Sequence, residues 1–317
     1  SLIKALIRCI EHHGGTVQNA ARVERIIVRD RKAVGIELAG GERLSAAHAV
    51  VSAIDARRVF TQLVDSDCQP PAFRRAMGQL TSARDNIGEL SMACVLSETP
   101  RFIDRTNNDE GLTGAIWQSG TVEDVENGFL DIRRGAIPSL PSAMWAVPSM
   151  LDPSLAPAGC HVLWLAAFVP YELADARTWD EVKEEVADHF LATVGRVAPN
   201  LPGSVRARQI MSPLDWLRRT GNLCGNADHL DTGIDQMLGN RPSPALSRYR
   251  TPIRALYLTG AGTHPGGGIT GNPGRNTARE FLRDRGILPR PTPIQVGRRL
   301  ERLRRLAGVA RSLAASL

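Results

Sequence analysis

The sequence predicts a mixed α/β fold in which an α/β unit is interrupted by a second module and then resumed. An amphipathic helix and alternating strands occupy residues 1–57, and mixed strands and helices follow up to residue 250. A strand, a glycine-rich loop and a further helix come next. Helices and strands that alternate in this way pack in layers, which favours an α/β architecture.

The opening segment SLIKALIRCIEHHGG predicts a helix, because its apolar residues recur at helical spacing and the pattern ends at Gly14-Gly15. Alternating runs joined by turns then predict antiparallel strands in TVQNA, RVERIIVRD, AVGIELA and ERLSA. The run from Ala49 to Ala53 is apolar at successive positions, which predicts a strand buried on both faces.

The middle part combines strands with one clear helix. Strands are predicted in GELSMACVL, SAMWAVPSM and CHVLWLAAFV, between proline-rich loops. The helix runs from Thr178 to Val194, because one face collects its large apolar side chains. These are Trp179, Val182, Val186, Phe190, Leu191 and Val194.

A buried strand is predicted from Ile253 to Thr259, and a glycine loop follows it. The next helix is expected to have Asn272 as its N-cap, Pro273 at its first position and Gly286 after its last turn. A glycine loop at a helix start leaves free backbone N–H groups, and these suit an anionic or planar ligand.

Three glycines of this loop, Gly266, Gly268 and Gly271, form a G-x-G-x-x-G. A Rossmann fingerprint begins directly at a strand end and opens a βαβ unit. Here the strand ends near Gly260, and no second strand follows the helix. We therefore do not interpret the triplet as the first dinucleotide fingerprint of a Rossmann domain.

The charge of the chain is concentrated in its last segment. From residue 286 onward, seven arginines and the single acid Glu301 account for the whole net charge of +6, so nucleic-acid binding is not expected of the neutral remainder. The five cysteines are scattered, which predicts neither a disulfide framework nor a metal site and favours a reducing compartment. No apolar run reaches the length of a membrane span, and we expect a cytoplasmic protein.

Residues 290–317 form a basic tail in which leucines and valines share one helical face among arginines. Such a helix can lie on an anionic membrane surface, dock on a partner or pack on its own domain. The sequence leaves these alternatives open.

The segment LYLTGAGTHPGGGITGNPGRNTA resembles the C-terminal flavin motif of the phytoene-desaturase-like FAD oxidoreductases. That group includes the carotenoid desaturases and the pyridine nucleotide-disulfide oxidoreductase domain-containing protein 2 type. The resemblance extends over nearly the whole chain, through LIKALIRCIEHHGGTVQNAARVERIIV, AVGIELAGGERLSAAHAVVSAID and DQMLGNRPSPALSRYRTPI.

The resemblance implies an incomplete FAD-binding Rossmann-like domain of the glutathione-reductase/amine-oxidase type with an inserted mixed-sheet substrate domain. The FAD-binding domain would comprise residues 1–57 and 251–289, and the substrate domain residues 58–250. Asp235, Gln236 and Arg241 match further family positions and are expected to anchor the loop that returns to the flavin domain.

The resemblance also implies FAD as the cofactor and assigns contacts to it. Gly260, Ala261 and Gly262 would pass under the ribityl and pyrophosphate portion. Gly268, Ile269, Thr270 and Gly271 would lie along the isoalloxazine ring. The backbone of Val23 would meet the adenine.

Members of the family also carry an N-terminal βαβ unit with G-x-G-x-x-G for the adenosine half of FAD, and this sequence has no such unit. We expect that half of the site to come from a preceding segment or from a partner chain. This chain alone is then expected to bind FAD poorly.

The implied reaction is the dehydrogenation of a hydrophobic small molecule, isoprenoid- or carotenoid-like, by hydride transfer to flavin N5. No catalytic side chain is assigned, because a hydrocarbon substrate requires no acid or base from the protein. Two alternatives stay open. One is an amine or heteroatom oxidase on the same scaffold, which would show a polar pocket with an aromatic pair. The other is a lipid- or prenyl-binding protein of the GDP-dissociation-inhibitor type, which has the broader fold without flavin.

Overall fold

The structure, a computed structural model, describes residues 2–103 and 108–288 and has the mixed α/β fold predicted. In chain order the helices are α1 (Leu2–His12), α2 (Ala56–Arg58), α3 (Pro71–Gly78), α4 (Asn108–Leu112), α5 (Val122–Arg133), α6 (Trp179–Gly195), α7 (Leu201–Ser204), α8 (Pro213–Thr220) and α9 (Asn272–Asp284). The strands are β1 (Val23–Arg29), β2 (Lys32–Leu38), β3 (Arg43–Ser45), β4 (Val50–Ser52), β5 (Ile87–Leu96), β6 (Ile116–Gln118), β7 (Ala143–Ala146), β8 (His161–Pro170), β9 (Val205–Met211) and β10 (Leu256–Leu258).

The first part of the chain forms α1 and a small antiparallel sheet in the order β1-β2-β3. The β1–β2 hairpin turns at Asp30 and Arg31, which both have positive φ, as a tight hairpin turn requires. The prediction of a strand in TVQNA is wrong. Residues 16–20 are exposed and irregular, because no strand of the described chain lies beside them to pair with.

The strands β4 and β10 form a parallel pair that joins the first part of the chain to the third. The strand expected from Ile253 to Thr259 is shorter, and all three residues of β10 are buried. The prediction that β4 is buried on both faces is wrong, because Val51 is 52% exposed. Within the described residues β4 pairs with β10 only, and the face of β4 that carries Val51 is open to solvent.

The middle part forms a five-stranded antiparallel sheet in the order β6-β7-β8-β5-β9. Its longest pairing joins β5 to β8, from Ile87 opposite Pro170 to Leu96 opposite His161. The helix α6 covers one face of the sheet, and every apolar side chain of the predicted helical face is buried. The opposite face carries Trp117 and Phe168, which are 63% and 39% exposed.

Two hydrophobic cores hold these parts together. The first lies between the five-stranded sheet and α6 and includes Leu90, Trp145 and Phe190. The second lies behind β4 and β10 and includes Phe60 and Leu258. The domain boundaries at residues 57 and 250 stay a prediction, and the tail at 290–317 lies outside the described residues. None of the described helices is long and apolar enough to cross a membrane.

Candidate functional site

The glycine turn, residues 260–271, connects the buried end of β10 to the start of α9. Gly260 opens the turn at φ +82°, and a Cβ on it would lie 3.0 Å from the carbonyl oxygen of Ala53. A left-handed φ and a neighbouring backbone this close together favour glycine over every other residue. The turn therefore begins directly against the segment that follows β4.

The helix α9 begins one residue earlier than predicted. Gly271, at φ +67°, is the N-cap, so the prediction of Asn272 as the cap is wrong, and Pro273 is the second helical residue. Gly271 has no side chain to offer, and the Asn272 N–H donates to Oγ1 of Thr270 at 3.3 Å instead. The predicted end is confirmed, since α9 stops at Asp284 and Gly286 has φ +71°.

The predicted flavin contacts of the turn fall into two groups. Gly260, Ala261 and Gly262 lie at the end of β10, where Gly262 is buried. The four residues from Gly268 to Gly271 form an exposed loop, in which Ile269 is 92% exposed. A Cβ placed on Gly271 would meet no atom within 4 Å. This second group presents open main chain to its surroundings.

Val23, predicted near the adenine, begins β1 and lines a cleft of about 420 Å³. Val51 and Ala53 line the same cleft, and Ala53 is also the residue against which Gly260 packs. The structure therefore brings Val23 and the glycine turn to one short segment, although they lie near opposite ends of the chain. The contact of these residues with FAD stays a prediction.

A buried arginine ties the glycine turn to the loop that precedes it. Arg241 is 2% exposed, and its Nε donates to the carbonyl oxygen of Ala261 at 2.9 Å. Its remaining nitrogens donate to the carbonyl oxygens of Asp228, Leu230, Asp231 and Gln236. Burial lowers the pKa of this guanidinium from its ordinary value, although arginine stays protonated in proteins. These bonds fit the anchoring role expected for Arg241.

Gln236, which is 3% exposed, holds the same loop through hydrogen bonds to the backbone of Thr81. Its Oε1 accepts from the backbone N–H of Thr81 at 3.0 Å, and its Nε2 donates to the Thr81 carbonyl at 3.1 Å. This pair of hydrogen bonds resembles the pair that two opposite residues exchange in an antiparallel sheet. Gln236 and Arg241 together fix the path of the chain between residues 228 and 241.

Two further side chains fix the turn and α9 relative to each other. The hydroxyl of Tyr249 donates to the carbonyl oxygen of His264 at 2.8 Å and accepts from Nδ2 of Asn276 at 2.9 Å. Oγ1 of Thr277 donates to the carbonyl oxygen of Leu258 at 2.9 Å, which joins α9 to β10. Burial raises the pKa of Tyr249, so its hydroxyl stays a donor at neutral pH.

Three buried polar atoms beside the turn have no hydrogen-bond partner in the described chain: Thr259 Oγ1, His229 Nδ1 and His264 Nδ1. Burial lowers the pKa of His229, which favours its neutral imidazole. Buried polar atoms are nearly always hydrogen-bonded in native proteins. Open main chain beside three such atoms suits a planar ligand with polar edges, as the flavin half of FAD is.

A second feature lies beside the turn and was missed by the sequence analysis. We call it the sheet-end cleft. It measures about 350 Å³ and lies between the ends of β5 and β8 and the loop 225–233. Glu89, Phe168 and Asp228 line it. A Cβ on Gly267 would collide with the carboxylate of Asp228, so the cleft and the glycine turn share a wall. The signal in the sequence was a single acid within the apolar run GELSMACVL.

Within the described part of the chain, no group of three or more His, Cys, Asp and Glu side chains could hold a metal ion. All five cysteines are free thiols.

Solved structures with similar folds include an oxidoreductase from Methanosarcina mazei, with a TM-score of 0.53 and 17% identity over 89% of this chain and 53% of that one. A putrescine oxidase variant redesigned in its cofactor binding gives a TM-score of 0.51 and 15% identity, over 88% of this chain and 52% of that one. The fold is that of the FAD-dependent oxidoreductases of the amine-oxidase type.

Sequence relatives narrow this class. Pyridine nucleotide-disulfide oxidoreductase domain-containing protein 2 of Rattus norvegicus is 32% identical over 293 residues, which is 90% of this chain and 50% of the relative. A neurosporene-forming phytoene desaturase of Cereibacter sphaeroides is 26% identical over 272 residues, 86% of this chain and 50% of that protein. Over most of its length the chain is therefore similar to phytoene-desaturase-like FAD-dependent oxidoreductases. It spans about half the length of these relatives, and no protein-family model matches it.

Proposed function

We propose that this chain is the flavin-contacting and substrate-binding part of an oxidoreductase that uses FAD to dehydrogenate a hydrophobic substrate. The observation that carries the proposal is the glycine turn, whose open main chain is clamped in place by Arg241. A protein that bound a lipid without flavin would gain nothing from so bare a turn at a helix start. We therefore favour an enzyme over a binding protein of the GDP-dissociation-inhibitor type.

The two groups of turn residues would hold different parts of FAD. Gly260, Ala261 and Gly262 would pass under the ribityl and pyrophosphate portion. Thr259 Oγ1 and His229 Nδ1, which have no hydrogen-bond partner in the described chain, lie beside them. The loop from Gly268 to Gly271 would lie along the isoalloxazine ring. Backbone N–H groups at the start of α9 carry partial positive charge, which would favour the negative charge that a reduced flavin gains.

FAD, when bound at the glycine turn, would supply the acceptor for a hydride from a substrate carbon. The chain's own part is to orient the substrate and to exclude water. The sheet face that α6 leaves uncovered offers an apolar wall for this purpose. Trp117, Met144 and Ala166 form one row across it in the register of β6, β7 and β8.

We further propose that polypeptide outside this sequence, either a preceding segment or a partner chain, holds the adenosine half of FAD. The parallel pair of β4 and β10 is small for a parallel sheet, which is normally larger and covered on both faces. The helix α1 exposes a whole apolar face, with Leu2, Ile3, Leu6 and Ile10 between 47% and 64% exposed. A βαβ unit with a G-x-G-x-x-G would add strands at the free edge of β4 and could cover this face.

The test is the visible absorbance spectrum of the complete protein, in which this chain is fused to or co-expressed with a polypeptide that carries such a βαβ unit. We expect stoichiometric flavin, and bleaching of its visible band when a substrate is added anaerobically. The chain by itself should retain far less flavin. A folded complete protein without flavin bands would overturn the proposal and favour the non-catalytic binding protein.

A further inference from the structure

The sheet-end cleft adjoins the glycine turn through two contacts. The carboxylate of Asp228 lies against Gly267, and the carbonyl oxygen of Asp228 accepts from Arg241 Nη2 at 2.7 Å. The same guanidinium donates to Ala261 of the turn. A molecule in the cleft would therefore sit beside the part of the turn that precedes the proposed flavin loop.

Two carboxyl groups line the cleft without a side-chain partner in the described chain, although the charge of Arg241 acts on Asp228. Neither Glu89 nor Asp228 forms a side-chain ion pair or hydrogen bond there, whereas Arg84 on the rim is bound to Asp235. Burial, reinforced by the charge of Asp228, raises the pKa of Glu89. A carboxylate removed from water is costly unless it is paired, so a positively charged ligand would relieve this cost at Glu89.

Aromatic rings stand beside these carboxyl groups. Phe168 lies directly opposite Glu89 in the β5–β8 register, so the two side chains share one face of the sheet. The ring of Phe129 in α5 packs against it, with the ring centroids 5.9 Å apart. Aromatic faces attract organic cations and also bury alkyl groups. A hydrated metal ion would prefer a set of oxygen ligands without such rings.

We propose that the sheet-end cleft is the substrate site and that Glu89 and Asp228 make it select an apolar molecule that carries a protonated amine. The ammonium group lies between the two carboxylates, and the alkyl part lies against Phe129 and Phe168. This inference rests on the proposed function and deepens it, because it names the substrate class of the same site. Glu89 and Asp228 are specificity-determining residues in this assignment.

Isothermal titration calorimetry with the chain tests the assignment, using n-octylamine hydrochloride, 1-octanol and sodium octanoate as probes at neutral pH. We expect the amine to bind about tenfold or more tightly than the alcohol, and the carboxylate not to bind. Glu89→Gln and Asp228→Asn should each remove this preference and leave alcohol binding unchanged. Phe168→Ala should weaken the amine and the alcohol alike, and the exposed Glu24→Gln should change neither.

Equal affinity of the wild-type chain for the amine and the alcohol would overturn the assignment, and this comparison needs no variant to fold. An amine preference that survives in both carboxylate variants would overturn the roles of Glu89 and Asp228. The flavin content of the complete protein is measured separately. If the complete protein binds flavin but shows no preference for the amine, the proposed function stands and this inference is refuted. If the complete protein binds the amine but no flavin, the proposed function is refuted.

Discussion

The Nε of Arg241 donates to the carbonyl oxygen of Ala261 at 2.9 Å, and this bond joins the loop before β10 to the turn after it. The other nitrogens of the guanidinium are bound to carbonyl oxygens of the same loop. A planar cation with several fixed donors is required for this pattern, and a lysine ammonium cannot reproduce it. The shape of the glycine turn therefore depends on one side chain that lies outside it.

Replacing this arginine is expected to disturb both stability and flavin retention. Arg241→Lys leaves buried carbonyl oxygens without donors, and we expect the free energy of unfolding to fall by about 3 kcal/mol. Chemical denaturation of the chain measures this, and flavin content is measured on the complete protein. Arg177→Lys is the matched control, because Arg177 pairs with Asp175 in an exposed ion pair of the kind worth about 1 kcal/mol or less. Equal stability of the two variants would contradict the claim that the hydrogen bonds of Arg241 hold the glycine turn in place.

The start of the turn can be tested with a single methyl group. Gly260→Ala places a Cβ 3.0 Å from the Ala53 carbonyl oxygen at a φ of +82°, and we expect a loss of about 1 to 3 kcal/mol in the free energy of unfolding. Gly78→Ala at the end of α3 adds its Cβ to open space and should not destabilise the chain. Thermal denaturation of both variants makes the comparison. A Gly260→Ala chain as stable as wild type would show that the turn is not constrained by Ala53.

Glu89 should make the stability of the chain depend on pH. Burial raises the pKa of its carboxyl above the ordinary 4.5, so the folded state keeps the proton to higher pH than the unfolded state. The stability is therefore complete below 4.5 and falls as the pH rises through the raised pKa. Glu89→Gln lacks this loss and should melt at a higher temperature than wild type at neutral pH, with the difference vanishing in acid. Melting temperatures over a pH series decide this, and a difference that does not change with pH would contradict it.

The apolar face of α1 should contribute to association and not to the stability of this chain. Leu6 is 52% exposed and α1 has no buried side chain. Leu6→Glu should therefore change the free energy of unfolding by less than about 0.5 kcal/mol. In co-purification, the same variant should lose the proposed polypeptide that carries the βαβ unit. Arg8→Glu, on the opposite face of the helix, should retain that partner; loss of the partner in both variants would argue against a specific face.

The sequence predicted most of the elements whose formation depends on the residues of a single segment. The helix α6 and the strands β5 and β8 follow from the spacing of their apolar residues, and all three were placed within a few residues of their observed bounds. The short strand expected in TVQNA was wrong, because a strand needs a neighbour and alternation alone does not supply one. The glycine turn was found from its residues, whereas the cap of α9 was misplaced by one position, since Gly271 takes a left-handed conformation.

By itself the sequence determined the resemblance to phytoene-desaturase-like proteins, the glycine turn and the order of the parts, because these depend on short motifs and on periodicity within single segments. The tertiary structure alone decided which distant residues meet. Glu89 and Asp228 come from a strand and a loop far apart in the chain, and they line one cleft beside Gly267. Such a meeting depends on how the sheet and the loop pack against each other, and no local pattern encodes that arrangement.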